Sequence, residues 1–290
     1  MHDHHSHSST ERIGWAFFLN FSFTILEFIG GWLTNSTAIM ADAVHDLGDT
    51  LSIGSAWVLG KLSDKRANKS FTYGYRRLSL LGALINGFVL IVGSAWVLFE
   101  AIPRLSNPEM PMVEGMLGFA IVGVLVNGFA AYKLSKGESL NERVLNWHLL
   151  EDVLGWVAVL IVSIVLMFVE APILDPLLSI FFTLFILFNV LKNLTSTVRL
   201  FLQSAPDNLD KDEIEERLLS IQEVGSIHHL HLWSLDGEHN VLTAHLVICR
   251  EIGVDEIKLL KSSISAVLSE YDLEHTTIEL ELIEEECRDE

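Results

Sequence analysis

The chain has 290 residues and a formal net charge of −19, and half of its residues are hydrophobic. Such acidity argues against a nucleic-acid partner, and a mean hydropathy of +0.39 is high for a soluble domain. The apolar residues occur in long blocks rather than in short alternating runs, which indicates a multi-pass membrane protein.

The first residues are rich in histidine and precede any apolar block. They lack the basic flank and cleavage site of a signal peptide, so we expect the first apolar block to be retained. We predict that residues 1–11 form a cytosolic tail that either passes metal ions to another site or binds them incidentally. The histidines concerned are His2, His4, His5 and His7.

Six blocks of predominantly apolar residues follow, each long enough to cross the hydrocarbon core of a bilayer as a helix. An even number of spans places both termini on the same side of the membrane. We therefore predict a domain of six transmembrane helices over residues 12–203. The blocks cover residues 13–34, 37–60, 78–102, 113–134, 144–168 and 173–198.

Lys and Arg are distributed unevenly between the loops. Residues 61–77 contain six of them and residues 133–143 contain three, whereas the loops on the opposite side contain only Arg104. Because short cytoplasmic loops retain positive charge, we predict that both basic loops and both termini are cytosolic, in a bacterial inner membrane. The first basic loop is also expected to touch anionic lipid.

Two His-x-x-x-Asp pairs lie inside predicted spans, His45 with Asp49 in the second and His148 with Asp152 in the fifth. Residues four apart share one face of a helix. A charged side chain at mid-bilayer costs about 2.5–3.5 kcal/mol on translocon scales, so each pair needs a partner or a hydrated cavity. A single such residue could serve helix packing alone, but two identical patterns favour one shared metal site.

Two imidazoles and two carboxylates suit a tetrahedral Zn²⁺, whereas Mg²⁺ and Ca²⁺ prefer oxygen ligands throughout. Co²⁺ also fits this set, and Cu²⁺ or Ni²⁺ bind strongly unless geometry excludes them. Imidazole must be neutral and carboxylate ionised to bind a metal, so protons compete with the ion. We predict exchange of metal for protons by alternating access at these four residues.

Four other polar residues, Asn20, Glu27, Asp42 and Asn127, lie within the predicted spans. They line a hydrated cavity, brace the helices or act as ligands, and Glu27 could in addition relay protons. The sequence leaves these alternatives open.

The composition changes at Ser204, where the long apolar runs stop and a charged segment begins. We predict that residues 204–290 form a cytosolic two-layer α/β domain of element order αββαβ, without a disulfide between Cys249 and Cys287. Its predicted elements are a helix after the capping residue Asp210, strands 226–235 and 239–249 joined by a hairpin turn, a helix 254–271 and a strand 275–283.

Motifs along nearly the whole chain resemble the cation diffusion facilitator family, which comprises metal efflux proteins with six transmembrane helices and a cytosolic carboxyl-terminal domain. The resemblance is to the zinc/proton antiporters of this family. The motifs are residues 35–49 in the second helix, Tyr73–Arg77 before the third, His148–Asp152 in the fifth, Asp175–Ser179 in the sixth and Ile227–Leu235 in the first strand of the cytosolic domain.

The resemblance implies a homodimer that exports cytosolic metal in exchange for protons, with His45, Asp49, His148 and Asp152 as the transport site. It further implies a metallochaperone-like cytosolic domain that binds zinc near the dimer interface. The residues that this second site would use are His228, His245, Glu279 and Glu281.

The alternation of side-chain faces along the first cytosolic strand argues against counting all of its histidines in this second zinc site. It places His229, His231 and Trp233 on one face and His228 with Leu230 on the other. One of the two sets is then equally well explained as a packed surface.

Two other function classes compete with a transporter. A membrane-embedded metalloenzyme would need an open ligand position and a general base. The four predicted ligands already complete a tetrahedral set, and the sequence has no His-Glu-x-x-His motif, so we predict that the chain is not an enzyme. A metal sensor that signals through its cytosolic domain is the second alternative.

Overall fold

The computed structural model describes residues 5–63, 65, 67–134, 140–283 and 285–287. His2 and His4 lie outside these residues. Only the backbone is described for residues 5–16, 56, 60, 61, 63, 133, 134 and 140–149, so the side chains of His5, His7 and His148 also lie outside the described part.

Six long helices correspond to the six predicted spans. Among the described helices, five are long and apolar enough to cross a membrane. The remaining one, α2, falls short because Asp42, Asp46 and Asp49 lower its hydropathy. The helices are α1 (His5–Thr34), α2 (Thr37–Ser63), α3 (Leu78–Ser106), α4 (Val113–Leu134), α5 (Leu140–Phe168) and α6 (Leu174–Phe201).

Helix α2 is packed on both sides by other helices. Ala38 and Ile39 belong to a buried cluster with α4 and α5, whereas Ala41 and Val44 belong to a second cluster with α3 and α6. These side chains are at most 4% exposed. Helix α2 therefore lies between other helices of the membrane domain. Its polar side chains face these helices or a cavity between them.

The first turn of α2 is fixed by a carboxylate from another helix. Asp175, in the first turn of α6, is buried, and its Oδ2 accepts hydrogen bonds from Thr37 N at 2.7 Å and Thr37 Oγ1 at 2.8 Å. Its Oδ1 accepts from Ser36 Oγ at 2.5 Å and from Ala38 N at 3.3 Å. A carboxylate suits this place because the free N–H groups and the dipole at a helix start favour negative charge.

The rest of the chain forms a small α/β domain in the predicted order αββαβ. Strands β1 and β2 are antiparallel, and β3 is parallel to β2, so that α8 is the crossover between them. The observed bounds differ from the predicted ones by a few residues at most. The elements are α7 (Lys211–Leu219), β1 (Val224–Ser234), β2 (Asn240–Ile248), α8 (Val254–Leu268) and β3 (Leu273–Glu281).

The chain divides into two compact units. The first comprises Met1–Lys61 and Gly82–Leu194, and the second comprises Leu62–Leu81 and Thr195–Glu290. The basic loop before α3 thus belongs to the same unit as the α/β domain, which the sequence did not predict. The domain boundary after residue 203 stays a prediction.

Strand β1 contains a bulge at His229 and Leu230. His228 pairs with His245 and His231 pairs with Thr243, so two residues of β1 face one residue of β2. His229 has a φ of 49°. The extra residue shifts the alternation of faces, and His228 therefore shares a face with His231. The prediction that His228 lies on the face of Leu230 is wrong, because strict alternation ends at the bulge.

Asp236 organises the turn between β1 and β2. Its Oδ1 accepts hydrogen bonds from Glu238 N at 3.0 Å and from His239 N at 2.9 Å. Burial opposes ionisation of this carboxyl, but the hydrogen bonds from His239 and Glu238 outweigh burial and hold the pKa of Asp236 below its usual range. The stabilisation is therefore present above the unfolded pKa of about 3.9 and is lost as the pH falls through the lower folded pKa.

We expect Asp236→Ala to lower the opening free energy of the β1–β2 hairpin by about 1–2 kcal/mol at pH 7, the value of two partly exposed hydrogen bonds. The cost should shrink below about pH 4 as the native carboxylate is protonated. Hydrogen exchange of the β1 and β2 amides in the full-length protein measures it. Glu238→Ala is the control, since its exposed side chain can be removed while its N–H group remains; an equal loss of protection in both variants would contradict this role of the carboxylate.

Candidate metal centres

Helices α2 and α5 bring three of the four predicted transport-site residues together. The Nε2 atom of His45 lies 3.5 Å from Asp152 Oδ1 and 4.0 Å from Asp49 Oδ2. One donor atom from each of these three residues lies within 4.8 Å of the others. The group can therefore offer one nitrogen and two oxygens to a single ion.

The fourth predicted ligand, His148, is placed only by its backbone. It belongs to α5, one helical turn before Asp152. Residues four apart lie on the same face of a helix, so the backbone is compatible with a ligand on the side of Asp152. The position of its imidazole ring lies outside the described side chains, and its role stays a prediction.

The carboxylate of Asp152 has unmet hydrogen-bonding capacity. The side chain is only 10% exposed, and the Nε2 atom of His45 lies at the long distance of 3.5 Å from its Oδ1 atom. Within the described part of the chain, this buried oxygen accepts no hydrogen bond of ordinary geometry. An unsatisfied carboxylate oxygen is costly to bury. A bound cation at this position would remove the cost.

Further acidic residues surround the three donors. Glu27 on α1 and Asp42 and Asp46 on α2 are buried, at 1%, 6% and 4% exposure. Glu27 and Asp42 interact electrostatically with both Asp46 and Asp152. The sequence had singled out Glu27 and Asp42 but not Asp46, although Asp46 is adjacent to His45. Each of these carboxyl groups favours a nearby divalent cation when it is ionised.

Helix α1 is joined to α2 by a polar contact beside this group. Asn20 Nδ2 donates to Thr50 Oγ1 at 3.0 Å and to the carbonyl oxygen of Asp46 at 3.4 Å. Thr24 Oγ1 is 3.1 Å from Thr50 Oγ1. Of the alternatives for Asn20, these contacts favour bracing of the two helices.

On α5, the residue one turn after Asp152 is Trp156, which is fully buried. Its indole ring packs directly on the backbone of α4 at Gly123. A Cβ atom at Gly123 would lie only 2.1 Å from Cδ2 of Trp156. The absence of a side chain at Gly123 therefore sets the close approach of α4 to α5 and the position of the turn that carries Asp152.

The α/β domain contains a second group of metal-binding side chains. Donor atoms of His228, His245, Glu281 and Cys287 lie within 4.8 Å of one another. Glu281 is central, since its Oε2 lies 2.9 Å from His228 Nε2 and its Oε1 lies 2.7 Å from His245 Nδ1. Cys287 Sγ lies 3.5 Å from His245 Nδ1.

Strand register explains how this group forms. His228 pairs with His245 across β1 and β2, and His245 pairs with Glu279 across β2 and β3. The predicted residues His228, His245, Glu279 and Glu281 thus lie on one face of the sheet. Glu279 is more distant, with Oε2 3.8 Å from His245 Nε2.

The sequence did not predict Cys287 as a donor, because it was considered only for a disulfide. Cys249 and Cys287 do not form a disulfide. The available signal was the position of Cys287 six residues beyond Glu281, in the segment that follows β3. Burial opposes ionisation of Glu281, but hydrogen bonds from His228, His245 and Cys287 outweigh it and hold the pKa of Glu281 below its usual range. The carboxylate is thus in the form that binds metal.

Comparison with known proteins agrees with both the helical membrane domain and the α/β domain. Residues 15–202 match the model of the cation efflux transmembrane domain, and residues 206–283 match the model of the cytoplasmic domain of cation efflux proteins. The chain belongs to the cation efflux family. The resemblance inferred from the sequence motifs is thereby confirmed.

Curated relatives are similar over almost their whole length. The cadmium, cobalt and zinc/H(+)-K(+) antiporter of Bacillus subtilis (strain 168) is 32% identical over 97% of this chain and 91% of its own. The zinc transporter ZitB of Escherichia coli (strain K12) is 32% identical over 96% of this chain and 91% of its own. The metal cation efflux system protein CzcD of Cupriavidus metallidurans is 30% identical, over 97% and 90% respectively.

Family membership decides between the function classes raised by the sequence. This member of the cation efflux family is a multi-pass membrane transporter with a carboxyl-terminal α/β domain, and it is not an enzyme. The metalloenzyme alternative is therefore excluded.

Proposed function

We propose that this cation efflux protein exports Zn²⁺ from the cytosol in exchange for protons by alternating access, and that Cd²⁺ and Co²⁺ are further substrates. The transport site would consist of His45, Asp49, His148 and Asp152. The observation that carries the proposal is the convergence of His45, Asp49 and Asp152 from two different helices.

The ligand chemistry supports zinc over harder cations. Completed by His148, the site offers two nitrogens and two oxygens, which suit tetrahedral Zn²⁺ and not the oxygen shells of Mg²⁺ or Ca²⁺. The names of similar proteins point the same way, since they include zinc, cadmium and cobalt.

The same residues supply the coupling to protons. Zinc binds only when the imidazoles are neutral and the carboxylates are ionised. Each proton that a ligand accepts therefore weakens the binding of the metal. Protons that enter from the outer side would displace a metal ion delivered from the cytosol. One set of four residues thus serves both binding and release.

The test is transport by the purified protein in liposomes. We expect uptake of Zn²⁺ that rises when the liposome lumen is made more acidic than the outer solution, because protons leave as zinc enters. Uptake of Cd²⁺ and Co²⁺ should be weaker, and uptake of Mn²⁺ should be small. Empty liposomes are the control, and a metal sensor would behave as they do. The coupling proposal fails if uptake is indifferent to the gradient while the four site residues remain essential.

The topology proposed from the charge asymmetry places both termini and the α/β domain in the cytosol of a bacterial cell, with the protein in the inner membrane. We also propose that the protein is a homodimer in this membrane. The match of residues 206–283 to the cytoplasmic domain of cation efflux proteins supports this arrangement.

A second zinc ion is proposed for the cytosolic domain, held by His228, His245 and Glu281, with Glu279 beside them and Cys287 as an added donor. The support is geometric, since four of these residues place donor atoms within 4.8 Å of one another. A site built from the α/β domain alone could report cytosolic zinc without lying on the transport path.

Zinc titration of residues 204–290 tests this second site. We expect stoichiometric binding, and a loss of affinity of about tenfold or more in Glu281→Gln, because the amide is a poorer ligand than the carboxylate. Glu251→Gln, in an exposed loop, is the matched control. Full-length Glu281→Gln should still transport zinc. Absence of stoichiometric binding in the unchanged domain would remove the proposed site.

A further inference from the structure

The second unit contains a cavity of 420 Å³ that neither metal site uses. We call it the loop cavity. Its volume lies within the range of about 300–1,000 Å³ typical of small-molecule sites, and its walls are largely apolar and aromatic, as in such sites. It is lined by residues 71–77 of the basic loop and by the first turn of α3 at Leu78 and Leu81. The other lining residues are Phe201 at the end of α6, Gln203 after it, Trp233 near the end of β1 and Leu235 after it.

The loop that forms one wall is held in a defined conformation. Asn68 Oδ1 accepts hydrogen bonds from Ser70 N at 2.8 Å and Phe71 N at 2.9 Å, and Asn68 Nδ2 donates to Tyr75 Oη at 2.6 Å. The rings of Phe71 and Tyr75 are 4.6 Å apart. The cavity is therefore preformed by contacts within the loop.

Two arginines of the loop line the cavity, and their environments differ. Arg76 donates to Glu274 Oε1 at 2.7 Å, whereas half-buried Arg77 has no acidic partner among the residues that the structure describes. Lys65 and Lys69 are exposed on the same loop. An unneutralised guanidinium beside apolar walls favours an anion with an apolar body, and its planar fork suits phosphate in particular.

The cavity also lies where two membrane spans end. Helix α3 begins at Leu78 and α6 ends at Phe201, and both helices are apolar enough to cross a membrane. Phe71 and Tyr73 are 52% and 45% exposed beside these ends, and exposed aromatic residues are enriched at membrane interfaces. The two helix ends mark the depth of the lipid headgroups.

We propose that the loop cavity binds an anionic phospholipid of the adjacent leaflet, with an acyl chain along the apolar walls and the phosphate at Arg77. A soluble anion would leave the apolar walls exposed to water, and an apolar peptide would leave Arg77 unneutralised. An anionic lipid satisfies both features. Because the loop and β1 share this cavity, the lipid would bind to the transmembrane connection and the cytosolic domain together.

Native mass spectrometry of the full-length protein tests the proposal, with phosphatidylglycerol and phosphatidylcholine of identical acyl chains as the probes. We expect phosphatidylglycerol to bind about tenfold more tightly. Both lipids carry the phosphate, but the choline cation of phosphatidylcholine offsets its negative charge and is repelled by Arg77. Arg77→Gln should remove this preference, and Arg77→Lys should keep most of it. Lys69→Gln is the matched control, since it removes one charge from the same loop outside the cavity wall, and it should keep the preference.

Three outcomes would overturn the proposal. The first is an unchanged preference in Arg77→Gln, with unaltered thermal unfolding as the check on folding. The second is an equal loss in Lys69→Gln, which would indicate diffuse surface charge. The third is displacement of the lipid by soluble glycerol phosphate or by dimer formation, which would identify a headgroup-only site or a second copy of the chain as the occupant.

Discussion

Asp152→Asn is expected to reduce zinc transport to the level of empty liposomes, and Glu151→Gln to leave it unchanged. The Asn side chain has almost the volume of Asp, so the packing of α5 is retained while an ionised oxygen ligand is lost. Removal of a group that only supports a metal ligand costs about 10–100-fold in affinity, and the loss of a ligand itself should reach at least the upper end of that range.

The adjacent residue makes a stringent control for this prediction. Glu151 is exposed, whereas Asp152 is buried, and neighbouring residues of a helix point about 100° apart. Both substitutions remove one negative charge at the same depth. Calorimetric titration of zinc should therefore separate them as clearly as transport does. Similar losses in both variants would mean that overall charge, and not coordination by Asp152, determines the affinity.

Gly123→Ala is expected to destabilise the membrane domain by about 3 kcal/mol, the upper part of the range for overpacking. The added Cβ atom would lie 2.1 Å from the ring of Trp156, which is fully buried and cannot move without displacing its neighbours. Since Asp152 lies one turn before Trp156, transport should fall by tenfold or more as well. Thermal unfolding in detergent and zinc uptake in liposomes are the measurements.

Gly118→Ala provides the matched control on the same helix. A Cβ atom at Gly118 would have no neighbour within 4 Å, and replacement of a helical glycine by alanine favours the helix by about 1 kcal/mol. Gly118→Ala should therefore be neutral or stabilising. If the two variants unfold at the same temperature, close contact of α4 with α5 is not what Gly123 provides.

The parts of the structure that sequence analysis predicted are those that depend on local pattern. Long apolar blocks define the helices of the membrane domain, and alternating runs with a turn at Asp236 define the hairpin. The positions of His45 and Asp49 on one helix face follow from helical geometry alone. The proximity of this face to Asp152 could also be expected. Both His-x-x-x-Asp pairs lie in predicted spans, where charged side chains are unfavourable, and one shared metal site accounts for both.

The remaining features depend on contacts between distant segments. The bulge at His229 arises from its pairing with β2, and it changes the face of His228 although no local residue pattern marks it. Cys287 Sγ lies 3.5 Å from His245 Nδ1 although 42 residues separate the two in the sequence. The proximity of Glu27 and Asp46 depends on how α1 and α2 are rotated about their axes, which hydropathy does not specify.

The carboxylate of Asp175 fixes one end of α2, so that the helix can tilt about that end. Its hydrogen bonds hold Ser36, Thr37 and Ala38 against the first turn of α6. This end of α2 is therefore the fixed point of any tilt. At 1.5 Å per residue, His45 lies about 12 Å from Thr37, whereas Ser63 lies about 39 Å away. A tilt of α2 about its fixed end would therefore displace the far end about three times as much as His45 and about twice as much as Asp49. In this way, access to the proposed transport site would change while His45 and Asp49 move less than the far end of α2.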